Sequence, residues 1–472
     1  MAIAIFWAVT CLASFVCLIS PYPVLALGIP VAVGGALMLA RKPTLALYVI
    51  VAMIPYGAMR KLGGGAVNLP WALAGGLLLL LPVKMAVEKR WSFTTGSSLW
   101  PLLISYLLIA LVAALRSPFP DDAFTAVAMI IAAQMFVALV IAFGDRTFLV
   151  ETLPKVITWS ITGGSLLGIA GFAFGIAMFG VDRPDGAEYR AVGGAIDPNN
   201  QCIMIVFCIP VIVHLVMHSK GRLERLVLIG ILGINILGVM LTISRSGLLM
   251  CLLALGALAV RYRSLITPRR LGAVVAGGML SLAVLLAVLP QSFFDRQASI
   301  GKWQDRSLSR RSSYLTVAFD AFQLHPLLGS GPDTFKDYYA ESDATRLYTK
   351  KTERMERQAH NTYVEVLVGT GIVGLTLYLL CLHRAWMHFR LAEAAFRLRG
   401  DPKAADLMAC YRLGFLVLML FLLMMTEMYH KYMLLSLGLS QVALRESGAQ
   451  ETPQTVTPVR VPATEPALGR DL

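Results

Sequence analysis

The chain has 472 residues, 57% hydrophobic and only 15% charged, with a mean hydropathy of +0.70. Soluble domains are about a quarter charged, and the apolar residues here come in blocks of membrane-spanning length, so the composition excludes an ordinary soluble domain. The net charge of +13 would suggest nucleic acid in a soluble protein; here basic residues gathered in cytoplasmic loops explain it, and no nucleic-acid partner is expected.

The fold expected is all-α, a polytopic integral membrane helical bundle of about 12–14 transmembrane helices with a small helical loop domain outside the membrane. Hydropathy places spans at 3–20, 23–40, 44–59, 69–87, 99–115, 123–143, 154–180, 198–217, 226–243, 246–262 and 271–290, then at 361–383, 410–426 and 432–445. The chain therefore divides into an N-terminal bundle (1–290), a large outer loop (291–360), C-terminal helices (361–445) and a tail (446–472). The first apolar block lacks a basic leader and runs into a second, so an uncleaved first span is expected. With the N-terminus inside, the inner connections carry 20 Lys and Arg and the short outer ones 7, which fixes the orientation; Arg60 and Lys61 run against it. Both termini are then cytoplasmic. All seven cysteines lie in or beside apolar segments and read as small buried hydrophobes, with no disulfide framework and no metal-type C-x-x-C spacing.

Several polar positions break the apolar pattern on the outer side. Arg190 stands in AEYRAVGGAIDPNNQ, where Asp197 and Pro198 make a helix start, with Asn199 in the first turn. Arg245 is the only charge between Leu226 and Val260. As one helix that stretch would be about 52 Å long against a core of about 30 Å, so the chain should turn near Thr242–Ser246. Arg245 then fits either an interfacial arginine that snorkels or a cation lining a polar cavity.

The outer loop holds 11 basic and 9 acidic residues. Arg310 and Arg311 open SSYLTVAFDAF, which has helical apolar spacing; HPLLGSGP is a turn, and TRLYTKKTERMERQ has the composition of a charged surface helix. A small helical cap on the outer face is expected. The tail is rich in Thr, Pro, Ala and Glu and reads as disordered.

His360 and Asn361 precede the next span, and Glu365 lies within it. A helix N-terminus disfavours a positive imidazole, which would leave His360 neutral as a proton acceptor; taken alone, an interfacial histidine without a role is the plainer reading. A carboxylate inside a span needs a partner, for which Arg245 is one candidate. The G-x-G-x-x-G of Gly369–Gly374 lacks the strand and helix opening of a dinucleotide loop and reads instead as small residues for close helix approach.

Four stretches together resemble the O-antigen ligase and O-antigen polymerase superfamily of bacterial membrane glycosyltransferases: YRAVGGAIDPNNQ, LTISRSGLL, RRSSYLTVAFDAFQLHPLLGSGPDTF and HNTYVEVLVGTGIVGL. They cover roughly residues 186–385. The sequence departs from the family in having Tyr314 where Trp is frequent, and Arg310 and Arg311 compete for one arginine position.

The resemblance implies transfer of a glycan from a polyprenyl diphosphate carrier to an acceptor hydroxyl at the periplasmic face of the bacterial inner membrane, by a metal-independent inverting glycosyltransferase without a cofactor. Arg190, Arg245 and Arg310 or Arg311 would hold the diphosphate. His360 would be the catalytic residue that takes or orients the acceptor proton, with Asn199, Asn361 and Glu365 in support. The acceptor would be the lipid A core in a ligase, or a second carrier-linked glycan in an O-antigen or exopolysaccharide polymerase. A polysaccharide transporter or flippase is the rival of another class, but no internal repeat supports it and the polar residues gather at one boundary.

Overall fold

The computed structural model describes residues 41–57, 69–88, 99–181, 190–265, 306–343 and 356–449. The expected spans 3–20, 23–40 and 271–290, and the tail from 450, lie outside them. In chain order the helices are α1 (Pro43–Ala52), α2 (Leu69–Glu88), α3 (Trp100–Leu115), α4 (Pro120–Phe143), α5 (Leu153–Phe174), α6 (Pro198–Met217) and α7 (Arg222–Leu241). They continue as α8 (Arg245–Arg261), α9 (Arg306–Leu324), α10 (Phe335–Glu341), α11 (Thr362–Leu398), α12 (Pro402–Phe421) and α13 (Lys431–Ser447). A two-residue ribbon, β1 (Gly180–Val181) and β2 (Arg190–Ala191), pairs antiparallel with Val181 opposite Arg190. Six helices among the described residues, counting α5 from its π-helical lead-in at Thr147, are long and apolar enough to cross a membrane. The protein is an all-α, multi-pass membrane protein.

Helix α6 is the axis of the bundle. It is apolar all round, and every residue from Gln201 to Ile212 is buried, as a helix enclosed on all sides must be. It packs against α5, α7, α8 and α12. Lipid is as apolar as leucine, so burial alone does not drive helices together there; close packing and hydrogen bonds do. Phe207 of α6 stacks on Tyr432 of α13 at 4.8 Å. Asn235 of α7 donates to Thr162 Oγ1 (2.9 Å) and accepts from Ser165 Oγ (2.9 Å) on α5, pairs contributing about 0.6 kcal/mol each.

The helix starts follow the sequence. Asp197 accepts from the amides of Asn199 (2.7 Å) and Asn200 (3.2 Å), with Pro198 at the first helical position. The turn expected at Thr242–Ser246 separates α7 from α8: Ile243 adopts a left-handed φ of 51° and Ser244 caps α8 by accepting from Gly247 N.

Three expectations need correction. The span placed at 361–383 continues as helix to Leu398, and that placed at 410–426 is helical from Pro402 to Phe421. The extra turns are held by ion pairs: Glu393 takes Arg397 (2.9 Å), Arg412 (2.9 Å) and Arg261 (3.6 Å). The glycines of 369–374 admit a loop, not a neighbouring helix. Helix α11 breaks at Gly371 (φ 65°, ψ −169°), about 14 Å in from Thr362. The segment 326–331 docks into the break: Ser330 N donates to Val368 O (3.0 Å), Gly331 N to Gly369 O (2.9 Å) and Ile372 N to Pro326 O (3.0 Å). A Cβ on Gly371 would overlap the Leu327 carbonyl, and one on Gly329 the Gly369–Thr370 peptide. Irregular backbone at this depth survives because the amides of Ser330, Gly331 and Ile372 are met by protein carbonyls. Glu365, for its part, finds no arginine among the described residues: Ala359 N and Thr426 Oγ1 donate to it.

The expected helical cap is formed by α9 and α10 around a small core of Tyr314, Val317, Ala321, Phe335, Tyr339 and Val368. Lys336 of α10 ties it to the α3–α4 corner through Asp122 (2.6 Å) and to Asp333 (3.2 Å). The charged segment from Thr345 lies largely outside the described residues.

Candidate functional site

The N-terminal ends of α6, α8 and α11 meet at one end of the bundle. The ribbon holds Arg190 against this end, and the residue is buried. Its Nε donates to Thr242 O (2.8 Å) and its guanidinium reaches Asn199 Oδ1 (3.3 Å). Asn199 Oδ1 also accepts from Ser244 Oγ (2.9 Å), the residue before Arg245. Arg190, Asn199 and the start of the helix bearing Arg245 are therefore one hydrogen-bonded group.

A second group surrounds the start of α11. Asn361 caps the helix by accepting from Tyr363 N (3.0 Å) and Val364 N (3.2 Å). His360, just outside the cap, takes a left-handed φ of 51°, is exposed, and lies against Tyr314 with ring centroids 5.8 Å apart. Tyr314 stands one helical turn after Arg310 and Arg311 on α9, so that helix reaches His360 through the aromatic ring. Glu365 is buried and accepts from Ala359 N (2.7 Å) and Thr426 Oγ1 (3.3 Å). Its partners are thus a backbone amide and a hydroxyl, and Arg245 is not one of them. The bond to Ala359 shapes the bend that presents His360.

Glu427, which sequence reasoning missed, joins the two groups. Its carboxylate accepts from Asn200 Nδ2 (3.0 Å) beside Asn199, and its amide donates to Thr362 Oγ1 (3.0 Å) beside Asn361. Burial, with Asp197 nearby, pushes its carboxyl up to about 7. Burial also raises Asp333, although Lys336 opposes this. Asp333, Glu365 and Glu427 line a polar pocket of about 150 Å³ together with Gln358, Thr370 and Tyr429. Tyr429 also borders an apolar groove of about 220 Å³ between α1, α2, α4 and α13, which carries Lys431 on its wall. Arg190 and Glu427 thus reach neighbouring residues at the α6 N-terminus, Asn199 and Asn200, and an apolar groove adjoins Tyr429.

The geometry defines a multi-pass membrane protein with a polar site built at one end of its bundle. Residues 230–379 match the family model of O-antigen ligase. That segment includes Arg245, Arg310, Arg311, His360, Asn361 and Glu365, and the match supports the likeness to the O-antigen ligase and polymerase superfamily. No curated protein matches the chain.

Proposed function

We propose that the protein transfers a glycan from a polyprenyl diphosphate carrier to an acceptor hydroxyl at the periplasmic face of the bacterial inner membrane, as an O-antigen ligase does. The observation that carries this reading is the joining of the Arg190–Asn199–Ser244 group to the His360–Asn361–Glu365 group through Glu427. Four stretches distant in sequence thereby contribute to one end of the bundle.

Arg190 and Arg245, with Arg310 or Arg311, hold the diphosphate, because guanidinium groups make charge-assisted, bidentate contacts to phosphate oxygens. The acceptor hydroxyl attacks the anomeric carbon, the bond from that carbon to the diphosphate oxygen breaks, and configuration inverts. The arginines take up the charge that develops on the leaving diphosphate. His360 accepts the hydroxyl proton. The carboxylate-lined pocket suits sugar hydroxyls, which donate hydrogen bonds, and is unsuited to a diphosphate. The apolar groove beside Tyr429 suits the isoprenoid chain. No step calls on a metal or cofactor.

Purified protein in detergent, given carrier-linked glycan and lipid A core, should form the glycosylated product, and Arg245→Ala should abolish it with the protein level unchanged. Transfer with no membrane to cross also separates the enzyme from a transporter or flippase. Full activity of Arg245→Ala removes the diphosphate assignment. An O-antigen or exopolysaccharide polymerase uses the same chemistry on a carrier-linked acceptor. A deletion strain distinguishes the two: loss of a ligase leaves long unattached glycan, and loss of a polymerase leaves single repeats.

A further inference from the structure

A second cluster of chemistry-bearing side chains lies at the other end of α6. His214 is fifteen residues beyond Asn199, about 22 Å along the helix. His214 stands in the last turn of α6 and His218 at its C-cap four residues on, and Asp406 and Cys410 stand four apart on one face of α12. The two helices pack directly, and both histidines reach Asp406 across the contact. One ring nitrogen of His214, an Asp406 carboxylate oxygen and Cys410 Sγ all lie within 4.8 Å of one another. His218 Nε2 approaches Asp406 Oδ2 at 3.1 Å, and His214 Nδ1 approaches the same oxygen at 2.8 Å.

We propose that His214, His218, Asp406 and Cys410 form a Zn2+ site that clips α6 to α12 at the end of the bundle remote from the glycosyl-transfer residues. Two imidazoles, a thiolate and a carboxylate are the donor set of a borderline ion such as Zn2+ and not of Mg2+ or Ca2+, which take oxygen. Tetrahedral bonds of about 2.0–2.3 Å place donor atoms roughly 3.2–3.8 Å apart, so His214, Asp406 and Cys410, within 4.8 Å of one another, need to draw in by about 1 Å, and His218 turns in from Asp406 to complete the set. The carboxylate is already oriented for the task. Arg261 occupies Oδ1 through Nε (3.0 Å) and its terminal nitrogen (2.8 Å), leaving Oδ2 to the histidines and the Tyr262 hydroxyl (2.7 Å). An outer partner of this kind fixes a ligand in place. Glu393, 3.6 Å from Arg261, is shared with Arg397 and Arg412 and offsets the guanidinium charge only in part.

His214 and Cys410 are fully enclosed, whereas the His218 side chain is 30% exposed, which gives the ion its route of entry. On binding, the Cys410 thiol releases its proton to solvent, and each neutral imidazole offers a lone pair on the nitrogen that faces Asp406. One thiolate and one carboxylate then balance the two charges of the ion.

The test uses full-length, untagged protein purified in detergent. Elemental analysis after gel filtration should find about one Zn2+ per chain, and chelation should lower the melting temperature, which added Zn2+ restores. Co2+ in its place should show a thiolate charge-transfer band and tetrahedral ligand-field bands. Cys410→Ser should lose the charge-transfer band, and His218→Ala, at the exposed edge, should weaken Zn2+ binding by at least about tenfold. Wild-type protein that retains no Zn2+, a Co2+ spectrum without the thiolate band, or a band that persists in Cys410→Ser overturns the proposal. The cluster is then a hydrogen-bonded knot centred on Asp406.

Discussion

Replacing Gly371 by alanine tests the unusual junction between α11 and the outer loop. Its backbone (φ 65°, ψ −169°) lies where residues with a Cβ are strained by about 1–3 kcal/mol. The new methyl would also overlap the Leu327 carbonyl and the Leu328 amide, so the loop must withdraw. Withdrawal breaks the bonds from Ser330 N, Gly331 N, Ile372 N and Val373 N, each worth about 1 kcal/mol net. The total is about 5–7 kcal/mol, at the extreme of single substitutions. Gly400→Ala is the control. Gly400 has φ 76° in the turn after α11, but a Cβ there meets nothing within 4 Å, so only the strain of about 1 kcal/mol applies. Thermal unfolding of the purified proteins in detergent should show Gly371→Ala far below Gly400→Ala. It should also lose transfer activity, since Pro332 and Asp333 on the same loop line the polar pocket. Equal melting temperatures for the two variants would refute the docking of the loop into the helix break.

Two further outcomes are expected. Glu427 titrates at about 7 in the folded chain against about 4.3 unfolded, so the folded state holds its proton more tightly; the resulting stability is complete below about 4.3 and is lost as pH rises through 7. That loss is on the order of 3 kcal/mol, and Glu427→Gln, which keeps an acceptor for Asn200, should flatten the melting temperature across this window; an unchanged pH profile contradicts the assignment. Asn361→Ala removes the acceptor for Tyr363 N and Val364 N and should cost about 1 kcal/mol in thermal unfolding while lowering transfer less than His360→Ala does.

Much of the scaffold was legible because its signals are local. Asp197–Pro198 and Asn361 mark helix starts through side chains that meet amides two and three residues on, and the lone Arg245 marks a turn because an unbroken helix would overrun the bilayer. The links that assemble the site are not local. Asn200 and Glu427 are 227 residues apart, and Glu427 in TEMYH gives no sign of a partner. An intramembrane carboxylate such as Glu365 calls for a partner, of which Arg245 is one candidate in the sequence; a backbone amide six residues back meets the need instead. The glycines at 369–374 carry a true signal of close approach, but composition does not say whether a helix or a loop approaches. The His214–His218 and Asp406–Cys410 spacings were visible in the sequence, yet nothing in it shows that the two helices pack face to face.

Binding of labelled polyprenyl diphosphate glycan to purified variants tests the central claim most directly, because it separates holding the donor from moving the proton. The account predicts that His360→Ala binds the donor as tightly as the unsubstituted protein but transfers nothing, whereas Arg245→Ala loses binding by about 2 kcal/mol or more, some thirtyfold. Donor affinity unchanged in Arg245→Ala, or lost in His360→Ala alone, would contradict the division of labour between the guanidinium groups and the imidazole.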